Sequence, residues 1–175
     1  MATIRINLKK VAPLAILLLS LAFVVGQARR GRNRTLTKVA FSAKLRHDYK
    51  NLGIGQGIIF EEVVTNVGNG FHAYTGVFSC PVGGTYFFTV NLVSSSVSKD
   101  FEKRTEVSLV YFGYTKMVVP VINNGDHNSG GNSVIFHCRT GGVVQLLVSY
   151  ADNDNDAIVS QRYSSFSGYL LFPDD

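Results

Sequence analysis

The chain has 175 residues, 46% hydrophobic and 17% charged, enough apolar material to fill a core and too little charge for a disordered chain. Its aromatics are 12 Phe and 8 Tyr with no Trp, and 17 Gly accompany many Val, Thr and Ser, a mixture that favours strands and tight turns over helices. The net charge of +5 and a pI near 9.3 suggest a nucleic-acid partner, but the positions of the basic residues leave no basic domain to bind one.

Arg5, Lys9 and Lys10 precede an apolar run from Val11 to Val25, and the small residues Gly26 and Ala28 follow. This order predicts a secretory signal peptide over residues 1–28, cleaved after Ala28 or alternatively after Gly26, the competing reading being an uncleaved signal anchor. Without it, 17 basic residues become 14 against 12 acidic, or +2; four of the 14 are Arg29, Arg30, Arg32 and Arg34, so the rest of the chain stands at 10 against 12. Residues 29–36 form a basic stub that suits a processing protease, an anionic glycan or nothing but solvent. Within it, Asn33-Arg34-Thr35 is an N-glycosylation sequon.

From there on, apolar and polar residues alternate in short stretches, the period of strands half-buried against a core. Tyr86, Phe88, Val90 and Leu92 share one face against Thr85, Phe87, Thr89 and Asn91 on the other. Val107, Leu109 and Tyr111 oppose Glu106, Ser108 and Val110, and Val134, Phe136 and Cys138 oppose Ser133, Ile135 and His137. Val144, Leu146, Val148 and Tyr150 are predicted to share a face, as are Phe166, Gly168, Leu170 and Phe172. Turns are predicted at Pro81–Gly84, Ser94–Asp100, Asn123–Asn132, Thr140–Gly142 and Asp152–Asp156. Past residue 28 no window carries a helical stripe and no repeat appears. The fold class read from this pattern is all-β, a sandwich or jelly roll. Strands apolar on both faces near the C-terminus point to a subunit interface.

Two cysteines, Cys80 and Cys138, suggest one disulfide in an oxidising compartment, which would stabilise by ~4 kcal/mol in the chain-entropy model; two buried free thiols are the other reading. The histidines His47, His72, His127 and His137 lack the spacing of a zinc site, and no Gly-x-Ser-x-Gly elbow is present, so no catalytic residue is assigned and the chain reads as a non-enzyme.

Particular residues go further than the pattern. Val39-Ala40-Phe41-Ser42-Ala43, Ile59-Phe60, Thr65-Asn66-Val67-Gly68, Gly76-Val77-Phe78-Ser79-Cys80-Pro81, Gly84-Thr85-Tyr86-Phe87-Phe88 and Ser164-Ser165-Phe166-Ser167-Gly168-Tyr169-Leu170-Leu171 follow one another in order. Together they resemble the C1q domain, the globular head of complement component 1q, over about residues 37–173. The resemblance implies a two-sheet antiparallel jelly roll of about ten strands, of C1q and tumour-necrosis-factor type, spanning 37–175 and assembling as a homotrimer. Phe41, Phe60, Phe78, Tyr86, Phe88, Phe166, Gly168 and Tyr169 then belong to the core or the trimer interface. The family topology sets the strand from Gly84 beside the strand ending at Cys138, which implies a Cys80–Cys138 disulfide.

The chain departs from the family in carrying Gly141-Gly142 where members often have Gly-Asp, and it has no collagen Gly-X-Y repeat before the domain. Asp152-Asn153-Asp154-Asn155-Asp156 gathers hard oxygen donors and resembles an acidic stretch in relatives that bind calcium near the trimer apex. Calcium at Asp152, Asp154 and Asp156, with Asp126 as a further donor, is the site expectation, against a solvated acidic turn. By analogy of fold, the function implied is that of a secreted, lectin-like pattern-recognition module of innate immunity. Its partners would be glycans, microbial surfaces or extracellular proteins, with no nucleic acid and no stable membrane insertion. A signalling ligand or matrix protein of the same fold is the alternative.

Overall fold

A computed structural model of the chain describes residues 37–95, 103–123, 128–152, 158–159 and 163–174. The leader, the basic stub with Asn33, and the residues Asp126, Asp154 and Asp156 lie outside these. Thr37–Asp175 constitute one compact unit. The period-two stretches become strands: β1 (Ala40–Lys44), β2 (Glu62–Val67), β3 (Phe71–His72), β4 (Val77–Ser79), β5 (Gly84–Ser95), β6 (Lys103–Tyr111), β7 (Tyr114–Asn123), β8 (Asn128–Cys138), β9 (Val143–Ala151), β10 (Ile158–Val159) and β11 (Ser165–Pro173).

All pairings are antiparallel and build two sheets. In the first, β5 is central: β8 lies along one edge, and β11 and β10 follow each other along the opposite edge, with β1 and β2 beyond β11. The second runs β3-β4-β9-β6-β7. The chain crosses between the sheets after β2, β4, β5, β7, β8 and β9, and this alternation makes the sandwich a jelly roll.

The sandwich has two poles. Gly84 pairs with Cys138 and with Pro173, so β5 begins where β8 and β11 end. At this Gly84 pole the disulfide Cys80–Cys138 joins the end of β8 to the segment after β4, tying one sheet to the other. Cys80 also exchanges backbone hydrogen bonds with the β8–β9 turn, donating to Gly142 O at 2.9 Å and accepting from Gly141 N at 2.8 Å. The opposite, Ser95 pole carries the end of β5, the starts of β6 and β8 and the ends of β7 and β9.

The core is aromatic. Phe41 stacks on Phe71 and Phe78 at 4.8 and 4.7 Å and meets Phe166 edge-on at 4.8 Å, while Phe88 stacks on Phe136 at 5.1 Å. Such pairs add about 0.5–1.5 kcal/mol each beyond the area they bury. Phe41, Phe60, Phe78, Tyr86, Phe88 and Phe166 are all buried. Tyr86 keeps its hydroxyl satisfied by donating to Val82 O at 2.7 Å. Gly168 lies between Phe41 on β1 and Phe88 on β5, and only the absence of a side chain lets those rings approach.

Several expectations are corrected. Tyr150 does not follow Val148 inward: a bulge opposite Glu106/Val107 inserts Ser149 and turns Tyr150 outward. A second bulge between Leu170 and Phe172 does the same to Phe172, which is 68% exposed. Asn128–Asn132 are strand, not turn, paired with Val90–Ser94. Glycine serves contact there, since a Cβ on Gly130 would run into the Pro120 carbonyl of β7. Ser108 and Val110, on the face opposite Val107 and Leu109, are buried as well: Ser108 lies in one row between Val118 and Leu147.

A hairpin at Phe112-Gly113 joins β6 to β7. Both residues have positive φ, 49° and 78°, over a two-residue loop closed by the Tyr111–Tyr114 pair, a geometry that normally selects Asn-Gly.

Candidate binding surface

The outward face of the β8–β5–β11–β1–β2 sheet is organised in rows, because antiparallel partners share a face. One row runs Ile135, Phe87, Tyr169, Ala40 and Val67 across five strands. Ile135, Tyr169 and Val67 are 58%, 45% and 47% exposed, and the Phe87 and Tyr169 rings lie 5.3 Å apart. Tyr169 therefore belongs to this open face and not to the core of its own chain. The next row toward the Ser95 pole is Ser133, Thr89, Ser167, Ser42 and Thr65. Its hydroxyls bond to one another in pairs, Ser133 Oγ to Thr89 Oγ1 at 3.0 Å and Ser167 Oγ to Ser42 Oγ at 2.9 Å. An apolar row bordered by a self-satisfied hydroxyl row offers apolar area at little desolvation cost. The alternation of β5 and β8 in the sequence carries this signal for Phe87 and Ile135, which it sets opposite the core residues.

At the Ser95 pole the strands that bracket the two acidic segments end together: β7 before residue 124, β9 before 153. Asp152 anchors its segment. Its Oδ2 accepts from the Arg104 backbone N–H at 2.7 Å and its Oδ1 from the Tyr150 hydroxyl at 2.7 Å, while its own N–H donates to Arg104 O at 3.2 Å. Arg104 ion-pairs with Glu106 and lies 5.9 Å from the Tyr150 ring centroid. The hydrogen bond to Asp152 is the main cause that raises the Tyr150 pKa, since losing the proton would set two anions side by side. The bulge that turns Tyr150 out of the core is what brings its hydroxyl to Asp152. Asp152 is thus a clasp between β9 and β6. Among the described residues no group of three or more His, Cys, Asp or Glu is placed to hold a metal.

The four histidines are not brought together. His47 pairs with Glu61 at 3.1 Å and His137 with Asp174 at 2.9 Å, at different places on the surface; His72 lies on β3, and His127 lies outside the described residues. Among the described residues no helix is long and apolar enough to cross a membrane.

Two antiparallel sheets in this strand order, stapled at one pole and open along an apolar row, define a jelly-roll domain. The model of the C1q domain matches residues 40–171, and the chain belongs to that family. It is 33% identical over 136 residues to "Complement C1q tumor necrosis factor-related protein 3" of Mus musculus, covering 77% of this chain and 52% of the relative. The protein of the same name from Homo sapiens matches to the same extent, 33% identical over 136 residues, with 77% and 52% covered. The chain thus spans about half the length of these curated relatives. Among solved structures it resembles the globular domain of zebrafish complement 1qA, with a TM-score of 0.61 at 16% identity over 78% of this chain and 99% of that one. It also resembles murine APRIL, with a TM-score of 0.55 at 15% identity over 77% and 99%. At these identities the two structures speak for the fold.

Proposed function

We propose that the chain is a secreted C1q-domain protein that assembles as a homotrimer and recognises glycans and microbial surfaces as a lectin-like module of innate immunity. The observation that carries the assembly is the exposed row Ile135–Phe87–Tyr169–Val67, an apolar strip on a sheet face that a lone domain would leave in water. Family members form trimers and bind extracellular partners, which supports the same arrangement here. The leader at 1–28 and the Cys80–Cys138 bond both agree with an oxidising, extracellular compartment. A basic stub at 29–36 and glycosylation at Asn33 complete the proposed mature chain.

Recognition falls to the Ser95 pole, where several loops leave neighbouring strands and one scaffold can carry varied chemistry. The oxygen donors there suit calcium. Because both Asp152 oxygens already accept hydrogen bonds, the cation would rest chiefly on Asp154, Asp156 and Asp126, with Asp152 fixing the segment that presents them. Bound there, calcium would supply charge and open coordination positions for sugar hydroxyls.

The test is a glycan and microbial-ligand array probed with the mature assembly, with and without chelator. Binding that chelator abolishes supports the reading. Retention of no glycan, together with tight binding to a single cell-surface protein, would replace it with the signalling-ligand reading.

A further inference from the structure

At the Gly84 pole, away from the acidic loops, a groove of about 340 Å³ opens where β7 and β8 part, lined by Tyr111, Phe112, Tyr114, Lys116, His137 and Arg139. Two features of this groove are not explained by folding. The first is Phe112. It occupies a left-handed position at which Asn is favoured, and although its ring meets Tyr111 edge-on at 4.6 Å the residue stays 61% exposed, so neither backbone preference nor burial accounts for it. The Tyr114 ring beside it is 73% exposed. Strained, exposed residues of this kind cluster at sites of contact with ligands.

The second feature is charge. Lys116 Nζ lies 5.9 Å from the centroids of both the Tyr111 and Phe136 rings, held by cation–π attraction with no carboxylate partner among the described residues. The backbone of Arg139 is fixed by its N–H donating to the Tyr111 hydroxyl at 2.9 Å and its carbonyl accepting from Gly142 N at 2.8 Å; its guanidinium likewise has no acidic partner among the described residues. His137 Nε2 hydrogen-bonds Asp174 at 2.9 Å, and the cationic side chains that line the groove are Lys116 and Arg139.

We infer that this groove is a calcium-independent site for an acidic saccharide, whose carboxylate or sulfate is held by Arg139 and Lys116 while a sugar face lies on the Phe112 and Tyr114 rings. Guanidinium presents a planar fork to such groups, and flat exposed rings complement the C–H face of a pyranose. An acidic peptide fits less well. Extended peptides draw affinity from a long free strand edge, and β8 already meets the β7 edge at Val118, whose O accepts from Asn132 Nδ2 at 3.0 Å, so only the first few residues of β7 stand open at the groove. This inference rests on the glycan-recognition reading above and adds to it a second pole and a ligand class.

The experiment is calorimetric titration of the full mature assembly with hexagalacturonate, its neutral methyl ester, a sulfated hexasaccharide and hexaglutamate, each with and without chelator. The expected result is binding of one or both acidic saccharides, unchanged by chelator. It should weaken about tenfold in Arg139→Gln and in Lys116→Gln, the scale of one charge-assisted hydrogen bond in an open groove. Phe112→Asn separates function from folding: it should weaken binding without lowering Tm, which a merely structural role would not do. Equal binding of the methyl ester or of hexaglutamate would overturn the inference, as would affinities untouched by the Arg139 and Lys116 variants. If binding to glycans is abolished by chelator and indifferent to Arg139→Gln, the groove is wrong and the Ser95-pole reading stands; if neither acidic saccharide binds, the groove is wrong and the glycan array alone decides the other reading.

Discussion

Replacing Gly168 with alanine probes the core at its most crowded point. The residue faces inward on β11 between Phe41 and Phe88, whose ring centroids lie 6.4 Å apart. A Cβ built at Gly168 would stand 2.6 Å from Phe88 Cδ1 and 2.8 Å from Phe41 Cε1, closer than real contacts allow. Neither ring has room to retreat, because Phe41 is backed by Phe71 and Phe78 and Phe88 by Phe136. A methyl forced into a packed core costs about 1–3 kcal/mol. Alanine returns about 0.4–1 kcal/mol by restricting the unfolded chain. The net is a loss of about 1–2 kcal/mol, or a fall in Tm of roughly 3–6 °C for a domain of this size. Thermal unfolding of Gly168→Ala and wild type at equal protein concentration measures it. In a Phe88→Leu background the same substitution should cost less, with a coupling of about 0.5 kcal/mol or more. A Tm equal to or above wild type would show slack around Gly168 and refute the packing argument.

Removing the Cys80–Cys138 bond, which closes a separation of 58 residues, should cost about 4 kcal/mol and lower Tm by on the order of 10 °C in the Cys80→Ala/Cys138→Ala variant; an unchanged melt would contradict its role in tying the sheets. Phe112→Asn relieves a left-handed aromatic, worth about 1–2 kcal/mol, and loses the edge contact with Tyr111, worth about 0.5–1.5 kcal/mol, so a net gain of roughly 0.5 kcal/mol is expected, read as a small rise in urea midpoint with unchanged slope. Burial raises the Tyr86 pKa above its usual 10.0, so the folded chain keeps a proton that the unfolded chain releases. Stability should therefore be complete below pH 10 and fall as pH rises through that range, and Tyr86→Phe should show a shallower alkaline decline in the same unfolding series.

Much of this architecture was legible in the sequence where side-chain period alone decides the outcome. Phe88, Val90 and Leu92 on β5 and Phe136 on β8 face inward as their alternation requires, and Phe87 and Ile135 face outward with equal regularity. Tyr150 and Phe172 continue an inward pattern on paper, but one inserted residue reverses the facing of everything after it, and a bulge leaves no mark in an alternating run. Asn128–Asn132 read as a turn because Asn, Ser and Gly usually signal one. The chain spends its glycines there on the close approach of β8 to Pro120, a tertiary requirement that no local window contains. The Phe112-Gly113 hairpin was hidden for the converse reason, a residue that turn chemistry disfavours. Of the candidate surfaces, the proposed calcium segment is one pentapeptide, of which only Asp152 is among the described residues. The basic, aromatic groove draws on positions from 111 to 139 and exists only once β7 and β8 diverge.

In the proposed trimer the row Ile135–Phe87–Tyr169–Val67 is where three copies meet. Sedimentation equilibrium of the mature chain at micromolar concentration, run beside Ile135→Glu, tests it most directly. The expected result is the mass of three chains for the wild type and of one folded chain for the variant. A wild type that sediments as a monomer would contradict it.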